Sequence, residues 1–186
     1  FFILSGYWVT KSYLKHKNPK NFYIKRALRI LPLYYLSVLG FAFLLVFFTS
    51  LPVAEYYLNV GFWKYLFWNV LTLNFICPSL PGVFSGNAVN GALWTIKVEI
   101  GFYLILPLLV FILDRLSSQR KRNIFLAIVY VLSVLWNYLL DCFALKLGLP
   151  KQLSHQLPGF MSFFVSGMAF VYNEDVLKKY EKFMFL

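Results

Sequence analysis

Charge is what this sequence has least of. Only 13% of its 186 residues are charged, about half the share a soluble domain carries. Acids are scarcer still, seven against 18 Lys and Arg. Its two cysteines, Cys77 and Cys142, lie far apart and form no C-x-x-C pair, so they read as two small apolar residues rather than as metal ligands or a disulfide. Patterns for a P-loop, a dinucleotide fold, a zinc site or a Ser-His-Asp elbow are missing. Neither a permanently bound cofactor nor a metal is expected. There is also no repeat of fixed period and no low-complexity segment.

What the chain has instead is apolar surface: 60% of residues are hydrophobic and 21% aromatic, with 21 Phe and 13 Tyr. A soluble core of this length could not hide so much. The excess faces lipid, and the fold class is an all-α, polytopic transmembrane helix bundle. The net charge of +11 would suggest nucleic acid on a soluble chain. In a membrane protein it reflects basic residues gathered in cytoplasmic loops, so the bilayer is the expected partner and nucleic acid is not.

The first run, FFILSGYWVTKSYL, is about half of a 20-residue span and reads as the last part of a truncated helix. The chain starts inside an apolar run and stops as another begins, the expectation for a piece of a longer protein. Residues 11–29 carry Lys11, Lys15, Lys17, Lys20, Lys25, Arg26 and Arg29 without an acid, and read as a cytoplasmic loop. Within it, Asn18-Pro19 predicts a helix start, with Asn as N-cap and Pro at the first helical position. That helix enters the membrane near Ile30 and spans to about Phe48, with Pro32 placed to kink it.

Residues 62–78 are apolar but short, and hold Lys64, Asn69 and Asn74: a thin span, or a re-entrant or interfacial segment. Residues 79–91 are a Pro/Gly/Asn loop. Residues 92–113 form a full span followed by Asp114, Arg115, Arg120, Lys121 and Arg122, a second cytoplasmic cluster. Spans follow at 124–140 and 157–172, separated by a mixed loop, and the tail from Asn173 carries Lys178, Lys179 and Lys182 among three acids. The sum is about four full spans. Parity then decides the short segment. If both basic clusters are inside, residues 62–78 do not cross, and 14 of the 18 basic residues fall on the cytoplasmic side.

Glu99 stands alone among acids inside a span. A carboxylate there costs at least about 2.5–3.5 kcal/mol on insertion scales, so it faces a cavity or a partner. It reads as a proton acceptor, donor or substrate ligand, or else as half of a structural ion pair. Tyr103, four residues on, shares its helix face. Lys97 does not share it, and is expected to snorkel to the outer surface. Trp94 reads as an interface anchor or a cavity wall. Arg26 and Arg29 are three apart on one face, and their spacing fits both lipid-head anchoring and a phosphate clamp. His16 and His155 read as solvated loop residues.

Three blocks in order, FFILSGYWVT (1–10), KRALRILPLYY (25–35) and LWTIKVEIGFYLILP (93–107), resemble the best-known motifs of the membrane acyltransferase-3 family. FFVSGMAF (163–170) resembles a fourth, a Phe-x-x-Gly-Met block. The resemblance implies a single acyltransferase membrane domain over 1–186. It also implies an acyl-CoA-dependent O-acyltransferase, usually an acetyltransferase, of the bacterial cytoplasmic membrane. The co-substrate would be acyl-CoA and the acceptor a hydroxyl of a cell-surface carbohydrate or glycoconjugate. On this resemblance Glu99 is catalytic, Arg26 and Arg29 engage the CoA phosphates, and Trp94, Tyr103 and Ser5 line the substrate site. Ser5 and Gly6 fall on the family's early Ser-Gly pair. The family's catalytic His lies in the helix before Phe1, so the fragment alone is expected to be inactive. Thr95 stands where the family has Ser, and Lys97 where a less charged residue is usual. The rival readings are a transporter with Glu99 as its coupling residue and a non-catalytic scaffold.

Overall fold

The computed structural model describes residues 1–84, 87–143, 146 and 156–184. His155 and most of the loop expected between the last two spans lie outside the described residues. Among the described residues every regular element is a helix: α1 (Phe2–Leu14), α2 (Pro19–Leu44), α3 (Val53–Leu58), α4 (Val60–Val70), α5 (Trp94–Arg115), α6 (Gln119–Phe143), α7 (Leu157–Tyr172) and α8 (Glu174–Met184). Short 3-10 turns extend α2 through Leu45–Phe48 and lead into α5 at Gly91–Leu93. The chain forms two compact units, residues 1–22 with 98–186, and residues 23–97. It passes between them within α2 and within α5.

Three helical stretches are long and apolar enough to cross a membrane: Pro19–Phe48, Gly91–Arg115 and Gln119–Phe143. The fourth expected span, α7, is helical over the expected 157–172, but its 16 residues reach only about 24 Å at 1.5 Å per residue. That is short of the roughly 30 Å hydrocarbon core. The basic stretch 11–29 is a loop only in part. Lys11 belongs to the last turn of α1, and Lys20, Lys25, Arg26 and Arg29 ride on α2. Only residues 15–18 connect the two helices. The positive-inside rule reports the side of the membrane and not the backbone conformation, so a helix end can carry the same signal. The predicted start of α2 is as expected, with Asn18 Oδ1 accepting from the Asn21 N–H at 3.1 Å.

In the first unit, α1 and α7 pack in parallel and touch backbone to backbone at two glycines. A Cβ on Gly6 would lie 2.2 Å from the Phe164 carbonyl oxygen, and one on Gly167 would lie 2.1 Å from that of Ile3. Small residues let membrane helices approach this closely, which is where packing energy between them comes from. α5 adds a buried stripe of Val98, Phe102, Leu106, Leu109 and Leu113, and Phe102 stacks on Phe164 with centroids 4.3 Å apart. α6 holds α7 by polar insertion. The Ser133 hydroxyl donates to the Pro158 carbonyl at 2.6 Å and accepts from the Ser162 N–H at 2.9 Å. It therefore sits within an i, i+4 backbone pair of α7. Asn137 Nδ2 donates to the Gly159 carbonyl at 2.8 Å.

One end of this unit gathers the charges. Lys17 Nζ meets Asp114 at 2.6 Å, Lys11 Nζ meets Glu174 at 2.9 Å, and Gln119 Nε2 donates to the Tyr172 carbonyl at 2.8 Å. The end of α1, the end of α5, the start of α6 and the end of α7 thus share one face. The Lys11 hydrogen bond, with a second one from Lys178, holds the Glu174 carboxyl below its ordinary pKa. Hydrogen bonds to Tyr7 and to Glu174 hold Lys11 above its ordinary value. A depressed carboxyl stabilises above the ordinary carboxylate pKa, and that stability is lost as pH falls through the depressed value. Comparing wild type with Glu174→Gln in thermal unfolding, the stability gap is expected to hold near neutral pH and to close below about pH 4. A gap independent of pH would show that the pair contributes nothing. High salt should also narrow it.

In the second unit, α2 packs on α3 and α4 through a core that includes Val38, Ala42, Phe62 and Leu80. Buried tyrosines tie this core to backbone carbonyls: Tyr34 donates to Asn69 at 2.7 Å and Tyr56 to Ala42 at 2.9 Å. α4 has 11 residues, about 16 Å of helix, and does not cross the hydrocarbon core as a helix. Asn69 Nδ2 donates to the carbonyls of Tyr65 and Cys77 at 2.8 and 3.0 Å, which folds the chain after α4 back on the helix. The asparagines that marked this run as unusual are buried, Asn69 at 1% and Asn74 at 7% exposed. Cys77 and Cys142 are both free.

Candidate active site

The site is built on α5. Asn90 starts the approach to it, its Oδ1 accepting from the Ala92 N–H at 3.0 Å, and the helix then runs without a break to Arg115. Four residues are a little more than one turn, so Glu99 and Tyr103 fall on one face. The Tyr103 hydroxyl donates to Glu99 Oε1. Tyr103 is buried while Glu99 is half-buried. One carboxylate oxygen is therefore committed to the tyrosine, and the carboxylate keeps further acceptor positions. The Tyr103 ring meets Phe22 edge-on at 6.1 Å, and Phe22 meets Tyr13 at 5.1 Å. These rings wall the tyrosine side of the pair with apolar surface, where its hydrogen bond is stronger than in water.

The other predicted residues divide between the units. Ser5 is in the first, on α1, 9% exposed. Its Oγ, like that of fully buried Thr10, has no hydrogen-bond partner among the described residues. Arg26, Arg29 and Trp94 belong to the second unit. Arg26 and Arg29 lie one turn apart on α2, the first half-buried and the second exposed. Trp94 is half-buried at the start of α5. The structure brings Glu99 and Tyr103 into contact and sets the two arginines on one helix face. Lys97 departs from expectation. Its Nζ lies 3.9 Å from the centroid of the Phe75 ring, a cation–π contact with the segment after α4 in place of a free reach to the surface. His16 is exposed at the end of α1.

The model of the acyltransferase domain, acyltransferase family 3, matches residues 1–186, the whole length of the chain. The chain belongs to that family. Among curated proteins, Nodulation protein 10 of Rhizobium leguminosarum bv. viciae is 32% identical over 121 residues, which is 59% of this chain and 31% of that protein. The matched part thus spans about a third of the relative's length. No solved structure matches the chain.

Within this acyltransferase-family domain the four motif blocks take distinct structural places. The first and fourth meet at the Gly6–Gly167 crossing, the second forms the early turns of α2, and the third carries Glu99 and Tyr103 on α5. Three features went unforeseen in the sequence: the crossing itself, the Lys11–Glu174–Lys178 network, and the Ser133 hydroxyl lodged in α7. Each joins residues far apart in the chain, and neither the period of a helix nor a short motif reports such a pairing.

Proposed function

We propose that the full protein is a membrane O-acyltransferase that uses acyl-CoA, with acetyl as the usual acyl group. The acceptor is a hydroxyl of a cell-surface carbohydrate or glycoconjugate, and the protein resides in the bacterial cytoplasmic membrane. The observation that carries this reading is the intramembrane carboxylate of the third motif block, hydrogen-bonded by a tyrosine of the same block, in a chain that matches the family throughout. In the reaction the acyl C–S bond breaks and an ester C–O bond forms. The acceptor's hydroxyl proton passes to a base, and the CoA thiolate leaves and takes up a proton. Glu99 orients and polarises the proton-transfer partner, and Tyr103 fixes the Glu99 carboxylate. Ser5 and Trp94 contact substrate. The general base is a role that His most often fills.

Arg26 and Arg29 hold the CoA phosphates from the cytoplasmic end of α2, by the bidentate chemistry that suits guanidinium to phosphate. Losing one charged hydrogen bond costs about 1.5–3 kcal/mol, so Arg29→Ala in the full-length protein should raise KM for acetyl-CoA about tenfold or more. The turnover number should change much less, because the contact is made equally in ground and transition states. Steady-state release of free CoA thiol with varied acetyl-CoA measures this. An unchanged KM would remove Arg29 from the donor site. A transporter, by contrast, would move substrate without consuming acyl-CoA at all.

A further inference from the structure

We propose that the groove between α1, α7 and α8 is a binding site for one anionic phospholipid of the cytoplasmic leaflet. The groove has a volume of about 500 Å³. Ile3, Leu4, Phe170 and Leu177 line it, and all four are left 40% or more exposed by the protein. The rim is different. Tyr7, Glu174 and Lys178 line that part, and Lys11 Nζ is fixed there by hydrogen bonds of 3.0 Å to the Tyr7 hydroxyl and 2.9 Å to Glu174. Lys178 Nζ meets the same carboxylate at 3.1 Å. Two ammonium groups share one carboxylate, so the rim keeps a net positive charge.

The order of these groups along the chain matches that of a lipid molecule. α1 and α7 both run toward the charged face. Ile3 and Leu4 lie deeper than Tyr7 and Lys11, and Phe170 lies deeper than Glu174. An acyl chain laid in the groove would meet hydrocarbon-like side chains along its length, and its phosphate would arrive at Lys11 and Lys178. Lysines at this level attract anionic head groups. The α8 helix supports the placement. Along it, exposed Val176 and Leu177 adjoin exposed Lys178 and Lys179, as in a helix lying in the head-group plane. A free phosphate would satisfy the lysines but not the apolar trough, and a neutral lipid would do the reverse.

The test uses the full-length protein in detergent, titrated with phosphatidylglycerol, with phosphatidylcholine of the same chains, and with glycerol phosphate. Bound lipid is counted by native mass spectrometry. Phosphatidylglycerol should bind at least about fivefold more tightly than phosphatidylcholine, and glycerol phosphate should not compete with it. Lys178→Gln leaves the Lys11–Glu174 pair in place and should erase the head-group preference. Leu177→Trp fills the trough and should weaken both lipids severalfold. Equal binding of the two lipids to wild type, competition by glycerol phosphate, or wild-type binding by both variants would each overturn the proposal. None of these outcomes bears on acyl transfer, so the lipid site and the catalytic reading stand or fall separately.

Discussion

Glu99→Gln in the full-length protein is expected to lower acyl transfer by about 10²-fold or more while leaving the protein folded. The substitution keeps shape and volume, and the glutamine carbonyl still accepts from the Tyr103 hydroxyl that now donates to Glu99 Oε1. What it removes is the negative charge and the basic oxygen. A role in moving or orienting a proton is therefore lost, while a role in packing is nearly spared. Tyr103→Phe is the companion variant. It leaves the carboxylate charged but frees it from the Tyr103 hydroxyl, so a smaller loss is expected, about tenfold, falling on turnover more than on KM for acetyl-CoA. The measurements are release of CoA thiol and appearance of acylated acceptor, alongside a thermal-unfolding curve for each variant. Full transfer by Glu99→Gln would sink the assignment. A lowered unfolding temperature with normal turnover would instead make Glu99 a structural residue of the bundle.

This pair was legible in the sequence because both of its requirements are local. A lone acid in an apolar run signals a buried polar site, and a spacing of four puts its partner on the same helix face. The helices were legible for a similar reason. The start of α2 is written in Asn18-Pro19, and α7 follows the limits of its apolar run. Less visible was everything that depends on a second segment. Lys97 looked like a snorkelling residue because Phe75, the ring it lies over, is 22 positions earlier, in a stretch without regular structure. The basic stretch 11–29 announced the start of α2 but concealed the end of α1, since Lys and Arg are good helix formers as well as loop residues. Glu174 and Lys178 looked like part of a mixed polar tail, and Lys11 like part of the basic stretch. Only the parallel packing of α1 and α7 brings Lys11 to Glu174.

Gly167→Ala is the substitution expected to damage the fold most for the least change in chemistry. In most helices it would be neutral or mildly stabilising, since alanine gains about 0.5–1 kcal/mol over glycine through a less flexible unfolded chain. Here the new methyl carbon would sit 2.1 Å from the Ile3 carbonyl oxygen and 2.6 Å from the Tyr7 backbone nitrogen. Both atoms belong to the α1 backbone, so no side chain can swing aside. α1 and α7 would have to separate, loosening the Phe2–Phe160 contact at 5.1 Å and, through α7, the stacking of Phe164 on Phe102. Overpacking of this kind costs about 1–3 kcal/mol, and rigid backbone on both sides puts the expectation at the upper end. Gly6→Ala, with the Phe164 carbonyl oxygen 2.2 Å from the new carbon, should behave alike. The two losses together should fall short of their sum, since either one opens the same crossing. Gly40→Ala is the control. Nothing lies within 4 Å of its added carbon, and it should be neutral or slightly stabilising. Unfolding of the purified protein in mixed detergent, read by Trp fluorescence, separates the three. Equal midpoints for Gly167→Ala and Gly40→Ala would mean that α1 and α7 do not meet at these glycines. The first and fourth motif blocks would then need another reason for carrying them.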